Sequence, residues 1–193
     1  KSLNKLNDHE IKKLILNFYN DTYLFDQMAC NSPHLIVWTN PTRKLIDKFW
    51  IKMNEFVKKQ YNLDYFMSIE KLTRLQLEKN MNKNIKKISH FDNLITVVNL
   101  KKLDENYNNK KVGYGFFYEI EKTNLNELFK KLNKDIQTIT YFGVKKKYLE
   151  NIINKNLPRG VDRIVPVGQS SKMNFTWDGY DMINILSRKI EIN

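Results

Sequence analysis

Across 193 residues the chain has a single cysteine, Cys30, so it forms no internal disulfide and no cysteine-based zinc site. A reducing, cytoplasmic setting is therefore expected. No apolar run approaches the roughly 20 residues that a membrane-spanning helix needs, and no signal-peptide apolar region is present. The three histidines show no metal-ligand spacing. A glycine-rich phosphate loop is also missing, because Gly113-Tyr114-Gly115 lacks the remaining spacing of a dinucleotide fingerprint. Arg-Gly repeats, zinc-finger spacing and RNP-type aromatics are absent too, although the net charge is +12. The lysines are scattered among asparagines, as in 79–87, which reads as solvated lysine faces rather than a nucleic-acid patch. The chain opens Lys1-Ser2-Leu3-Asn4 without a methionine, which implies a fragment or a processed form.

What is present is enough apolar material for a core, at 41% hydrophobic and 12% aromatic residues. The lone thiol lies in Leu24-Phe25-Asp26-Gln27-Met28-Ala29-Cys30-Asn31-Ser32-Pro33, between a helical apolar pattern and the β-type run Leu35-Ile36-Val37-Trp38. A cysteine at such a junction, among small and polar residues, can face a cleft and act as a nucleophile. It can equally be a small buried hydrophobe.

Asn7 with Glu10 reads as a capping box opening a helix that carries Ile11, Leu14, Ile15, Phe18 and Tyr19. A strand over 35–39 follows. Asn40-Pro41 reads as cap and first turn of a second helix, with Leu45, Ile46, Phe49, Trp50, Met53, Phe56 and Val57 in one stripe. A third helix is expected over 65–77 and a solvated loop over 79–87. Strands follow at 94–98 and 113–120, with a polar turn over 104–111 between them; the two glycines entering the second strand suggest a bend or a close backbone approach. Asn124 caps a helix with Glu127 in the reciprocal position, then come a strand at 137–143 and a helix stopped by Pro158. A strand over 163–167, an irregular stretch over 170–177 and a short helix through Ile183, Leu186 and Ile190 close the chain. Strands separated by helices argue for one α/β unit with a largely parallel sheet.

Four segments occur in order: Phe25-Asp26-Gln27-Met28-Ala29-Cys30, Ile136-Gln137-Thr138-Ile139-Thr140, Gly160-Val161-Asp162-Arg163-Ile164-Val165-Pro166-Val167-Gly168 and Trp177-Asp178-Gly179-Tyr180-Asp181. Together they resemble the C-terminal part of bacterial acyl-CoA reductases of the LuxC type, relatives of the aldehyde dehydrogenase superfamily. The resemblance runs over essentially the whole chain, and 62–111 adds little to it. It implies an aldehyde-dehydrogenase-like catalytic domain over 1–193, with a largely parallel sheet flanked by helices and a nicotinamide-binding domain mostly upstream. It implies reduction of a long-chain acyl-CoA thioester to an aldehyde with NADPH through an S-acyl intermediate on Cys30. The acyl group would arrive on coenzyme A or from an acyl-transferring protein partner, and the full-length enzyme would be a homo-oligomer. The isolated fragment would be poorly active. In related dehydrogenases a glutamate two residues before a Phe-Gly-Pro element touches the cofactor; here Val112 holds that place before Tyr114-Gly115-Phe116. Tyr114 and Gly115 remain the candidates for lying near the nicotinamide.

Asp26, Gln27 and Asn31 are the candidate supports of the cysteine loop, although Asp26 serves a helix terminus as readily. His34 follows Cys30 by four residues, but the change from loop to strand breaks helical geometry and argues against a Cys–His pair. His9 and His90 fall at surface positions. Asp162-Arg163 reads as an ion pair or a loop anchor, and Asp178 and Asp181 as caps. The alternative to an enzyme is a basic α/β module that binds nucleic acid or another acidic partner.

Overall fold

A computed structural model describes residues 3–39, 41–103, 111–121 and 124–192. The capping box forms: Glu10 N donates to Asn7 Oδ1 at 2.9 Å and Asn7 N to Glu10 Oε2 at 3.1 Å. It starts α1 (Asp8–Thr22), whose face of Ile11, Leu14, Ile15, Phe18 and Tyr19 is buried as its spacing predicts. Strand β1 (Leu35–Trp38) follows, then α2 (Arg43–Gln60). Helix α2 begins later than expected: the extended residue at its N-terminus is Thr42, so Pro41 precedes the helix instead of opening it. Asn40 lies outside the described residues. Helix α3 (Tyr65–Met81) is capped by Asp64, which accepts from Met67 N at 2.8 Å. It buries Lys71, Leu75 and Glu78, while Phe66, Ile69 and Leu72 stand exposed.

The expected loop over 79–87 is corrected at both ends. Helix α3 continues to Met81, and β2 (Ile85–Phe91) starts at Ile85. The reason is that β2 is an edge strand. It pairs only with β3 (Ile95–Leu100), so Lys86 and Lys87 face water and look loop-like in sequence. The polar turn expected over 104–111 falls, but for Lys111, outside the described residues. Strand β4 (Phe116–Glu121) completes a sheet of order β1-β4-β3-β2, in which β4 runs parallel to both β1 and β3 and only β2 is antiparallel. This gives the mixed α/β fold with a mainly parallel sheet flanked by helices.

The remainder adds α4 (Leu125–Lys130), β5 (Thr138–Tyr141), α5 (Lys146–Asn156) and β6 (Arg163–Pro166), with β5 and β6 parallel. The stretch read as irregular ends in a hairpin, β7 (Thr176–Trp177) with β8 (Tyr180–Asp181), before α6 (Met182–Leu186). Helix α6 stops at Leu186, short of Ile190.

The alternation of strand side chains sorts the core into two layers. Ile95, Val97 and Phe117 pack under α1 and α2, with Trp50 and Met53 at the centre. Val98, Leu100, Phe116 and Tyr118 face the other way, against Leu75 of α3. Within the first layer Glu119 is fully buried. Its carboxylate accepts from Trp50 Nε1 at 2.7 Å, Trp38 Nε1 at 2.9 Å, Arg43 Nη1 at 2.8 Å and Asn99 Nδ2 at 2.9 Å. Nothing in the spacing pointed to it. A buried carboxylate holds its charge only with such a full set of donors. Glu119→Ala strips four donors of their acceptor, Trp50 and Asn99 in full burial, and a loss of about 3 kcal/mol in unfolding free energy is expected from urea titration.

Candidate functional site

Helix α1 ends in a 3₁₀ turn, Tyr23–Phe25, after which Asp26 (φ 52°) and Gln27 (φ 61°) both take the left-handed conformation. Two such residues in a row reverse the chain, and for residues with side chains this conformation costs energy. Gln27 is fully buried, and its side chain explains how the reversal persists. Its Nε2 donates to Pro33 O at 2.8 Å and Phe116 O at 3.1 Å, and its Oε1 accepts from Gly115 N and Phe116 N, each at 3.0 Å. One carboxamide thus ties both ends of the cysteine loop to the entry of β4. Ser32 N donates to Ala29 O at 3.0 Å, closing a turn that leaves Cys30 exposed.

The thiol stands at a cavity of about 220 Å³ between this loop and the α4–β5 segment. Asn31, His34 and Lys111 contribute polar groups to its wall, and Leu125, Phe129 and Ile139 contribute apolar ones. His34 lines the same cavity as Cys30. Burial, and then the charge of Lys111, lower its imidazole to a pKa of about 4, so it is neutral at physiological pH.

The other candidates take structural places around the loop. Asp26 Oδ1 accepts from the Tyr61 hydroxyl at 2.7 Å, which moors the loop to the residue following α2. Burial first and this carboxylate second push the Tyr61 hydroxyl far above its usual range. Asn31 Nδ2 donates to Ser171 Oγ at 3.1 Å. The segment around Ser171 is held by two residues. Arg163 donates to Ser170 O at 2.6 Å and Lys172 O at 2.7 Å, and Asp21 accepts from Gly168 N at 2.6 Å and Ser170 N at 3.0 Å. Of the two readings of Arg163, the loop anchor is the one seen, and it also stacks 4.6 Å from the Trp177 ring. Asp181 caps α6 through Ile183 N and Asn184 N.

Tyr114 and Gly115 sit in a turn pressed onto the cysteine loop. Tyr114 N donates to Asp26 O at 2.8 Å. At Gly115 (φ 76°) a Cβ would lie 2.1 Å from Leu94 O, so no other residue fits. The close backbone approach expected at this strand entry is thus present. From the far side Lys71, which the sequence reading missed, donates to Tyr114 O at 2.9 Å and to Asn93 O. Among the described residues no group of three histidine, cysteine or acidic side chains is placed to hold a metal, and no helix is long and apolar enough to cross a membrane.

A family model described as acyl-CoA reductase (LuxC) matches residues 4–189. The chain belongs to the acyl-CoA reductase (LuxC) family. No curated protein matches it. Among solved structures, the apo betaine aldehyde dehydrogenase of Staphylococcus aureus, with a cysteine modified by β-mercaptoethanol, is similar at 14% identity and a TM-score of 0.51. The match covers 82% of this chain and 35% of that one, so this LuxC-family chain spans about a third of the dehydrogenase's length. At that identity the likeness speaks for the fold: the mainly parallel sheet with flanking helices is that of an aldehyde dehydrogenase.

In the LuxC-family chain His34 predicts an acid-labile fold. The unfolded imidazole takes its proton near pH 6.5 and the folded one only near 4. Stability from this group is therefore full at neutral pH and falls as pH drops from 6.5 towards 4, by roughly 3 kcal/mol. His34→Gln should flatten this dependence in urea midpoints compared at pH 7 and 4.5.

Proposed function

We propose that this chain is the thiol-bearing catalytic domain of a cytoplasmic, homo-oligomeric enzyme that reduces acyl-CoA to aldehyde through an acyl group carried on Cys30. The observation that carries the reading is an exposed cysteine, fixed by Gln27 at a cavity with apolar walls, in a LuxC-family chain. The cavity suits the first methylenes of an acyl chain, and the exposed side of Cys30 leaves room for the coenzyme A arm or for an acyl-transferring protein.

The Cys30 sulfur, as thiolate, attacks the thioester carbonyl. The new S–C bond forms first, giving a tetrahedral oxyanion, which collapses with loss of the old S–C bond, and coenzyme A leaves as a thiolate that takes up a proton from water. A backbone N–H at the Cys30 turn is suited to the oxyanion formed on the way. When bound, the family's nicotinamide cofactor, taken here as NADPH, would supply a hydride to the acyl carbon, and the C–S bond to Cys30 would break to free the aldehyde and return the thiolate. The entry of β4 leaves the cofactor's phosphates no free amide over 114–116. The amides of Tyr114, Gly115 and Phe116 are all engaged by Asp26 and Gln27. The nucleotide is accordingly assigned to a further domain, with the ring of Tyr114 as the group left to approach the nicotinamide. The reduction needs no activated water, and no general base is assigned.

Incubating the whole enzyme with labelled acyl-CoA should give a hydroxylamine-sensitive adduct on the Cys30 peptide, seen by mass spectrometry. Cys30→Ser should abolish it and lower kcat by roughly a thousandfold or more. Normal turnover by that variant defeats the reading. A non-enzymatic basic module would instead bind nucleic acid with steep salt dependence and be indifferent to Cys30 alkylation.

A further inference from the structure

The turn that receives the cysteine loop is unusual in its backbone. Gly113, Tyr114 and Gly115 have φ of 88°, 55° and 76°, three left-handed residues in succession. The two glycines take this conformation freely, and Phe116 N donates to Gly113 O at 3.0 Å within the turn, but Tyr114 is strained there and is held by grips from outside. Two of them come from the cysteine loop: Asp26 O takes the Tyr114 N–H, and Gln27 Oε1 takes the next two amides. A third comes from a different layer. Lys71 of α3 is 1% exposed, and its ammonium donates to the carbonyls of Tyr114 and Asn93. Asn93 lies in the turn between β2 and β3, so one side chain joins α3 to the turns that enter both β3 and β4.

A buried ammonium is an expensive way to fill space. Desolvation alone lowers Lys71 to a pKa of about 8. A methionine would pack as well at no such cost, so the charge is spent on the two carbonyls it holds. The peptide that Lys71 grips at Tyr114 O is gripped by Gln27 at its own N–H, that of Gly115, and the amides on either side are held by the cysteine loop. The turn is thus clamped from opposite sides.

We infer that Lys71 is a positioning residue for Cys30, holding the 113–115 turn so that Asp26 and Gln27 present the thiol in one place. The inference rests on the reading of Cys30 as nucleophile, since a thiol without a reaction has no position to keep. Lys71 acts through the turn and touches no substrate.

The test uses Lys71→Met in the whole enzyme, which keeps the hydrocarbon and removes the donors. Amide hydrogen exchange is followed in peptides covering 112–118 and, as the internal reference, 95–100 of β3. The expected result is at least a tenfold loss of protection in 112–118 with β3 unchanged. In turnover kcat should fall about tenfold with KM within twofold, since the geometry of attack is lost and binding is kept. Unchanged protection at 112–118, equal loss in β3, or an unchanged kcat overturns the inference. Lys71→Gln, which keeps two N–H donors on a shorter arm, should fall between wild type and Lys71→Met in both readouts. If neither variant folds, Lys71 belongs to the core alone and the inference is overturned. The exchange arm needs no turnover, so failure of the Cys30 chemistry and failure of the Lys71 role are read separately.

Discussion

Gln27 occupies a left-handed backbone conformation that glutamine seldom adopts, in full burial, and its carboxamide is what keeps it there. The strain of such a residue is of order 1–3 kcal/mol. Four hydrogen bonds at about 1 kcal/mol each offset it, provided none is left unmade. Every donor and acceptor of the side chain is used, and all four partners are backbone groups. The loop bearing Cys30 is therefore shaped by the strand entry it rests on. Helix α1 delivers the chain, β4 supplies the template, and the thiol is left where the two meet.

The same device recurs on a larger scale. Three buried charged side chains each tie a helix to the end of a strand or loop. Glu119 joins α2 to β4 through Arg43 and Trp50. Asp21 joins α1 to 168–170. Lys71 joins α3 to the turns before β3 and β4. Hydrocarbon packing fixes the spacing of the layers but tolerates sliding. Each of these charges is costly to leave unpaired, so each selects one register of helix on sheet. The site lies where the ties made by Asp21 and Lys71 converge, with Asn31 touching the segment that Asp21 holds.

This pattern also explains what could be read from the sequence. Helix α1, the stripe of α2 and strand β3 were legible because apolar periodicity and a capping box state them locally. Strand β2 was not, since an edge strand needs one partner and shows its lysines to water. Helix α3 was found, but its inward face carries Lys71 and Glu78 beside Leu75 while Phe66 and Leu72 stand exposed, so apolar periodicity does not mark that face. At the site, the cysteine loop and the glycine turn each stood out. What could not be seen was that one side chain joins them across 88 residues, from Gln27 to Gly115. Long-range pairing of a polar residue with backbone leaves no periodic trace. His34 was set aside as a partner of Cys30, and it lines the same cavity from its place just before β1.

The exposure of Cys30, with no second cysteine in these 193 residues, has a chemical consequence of its own. A thiol that meets peroxide becomes a sulfenic acid, and a neighbouring cysteine can trap that species as a disulfide before oxidation goes further. This chain supplies no such trap. A trap for an oxidised Cys30 has to come from outside these residues, and coenzyme A, the thiol released by the proposed reaction, is one that can serve.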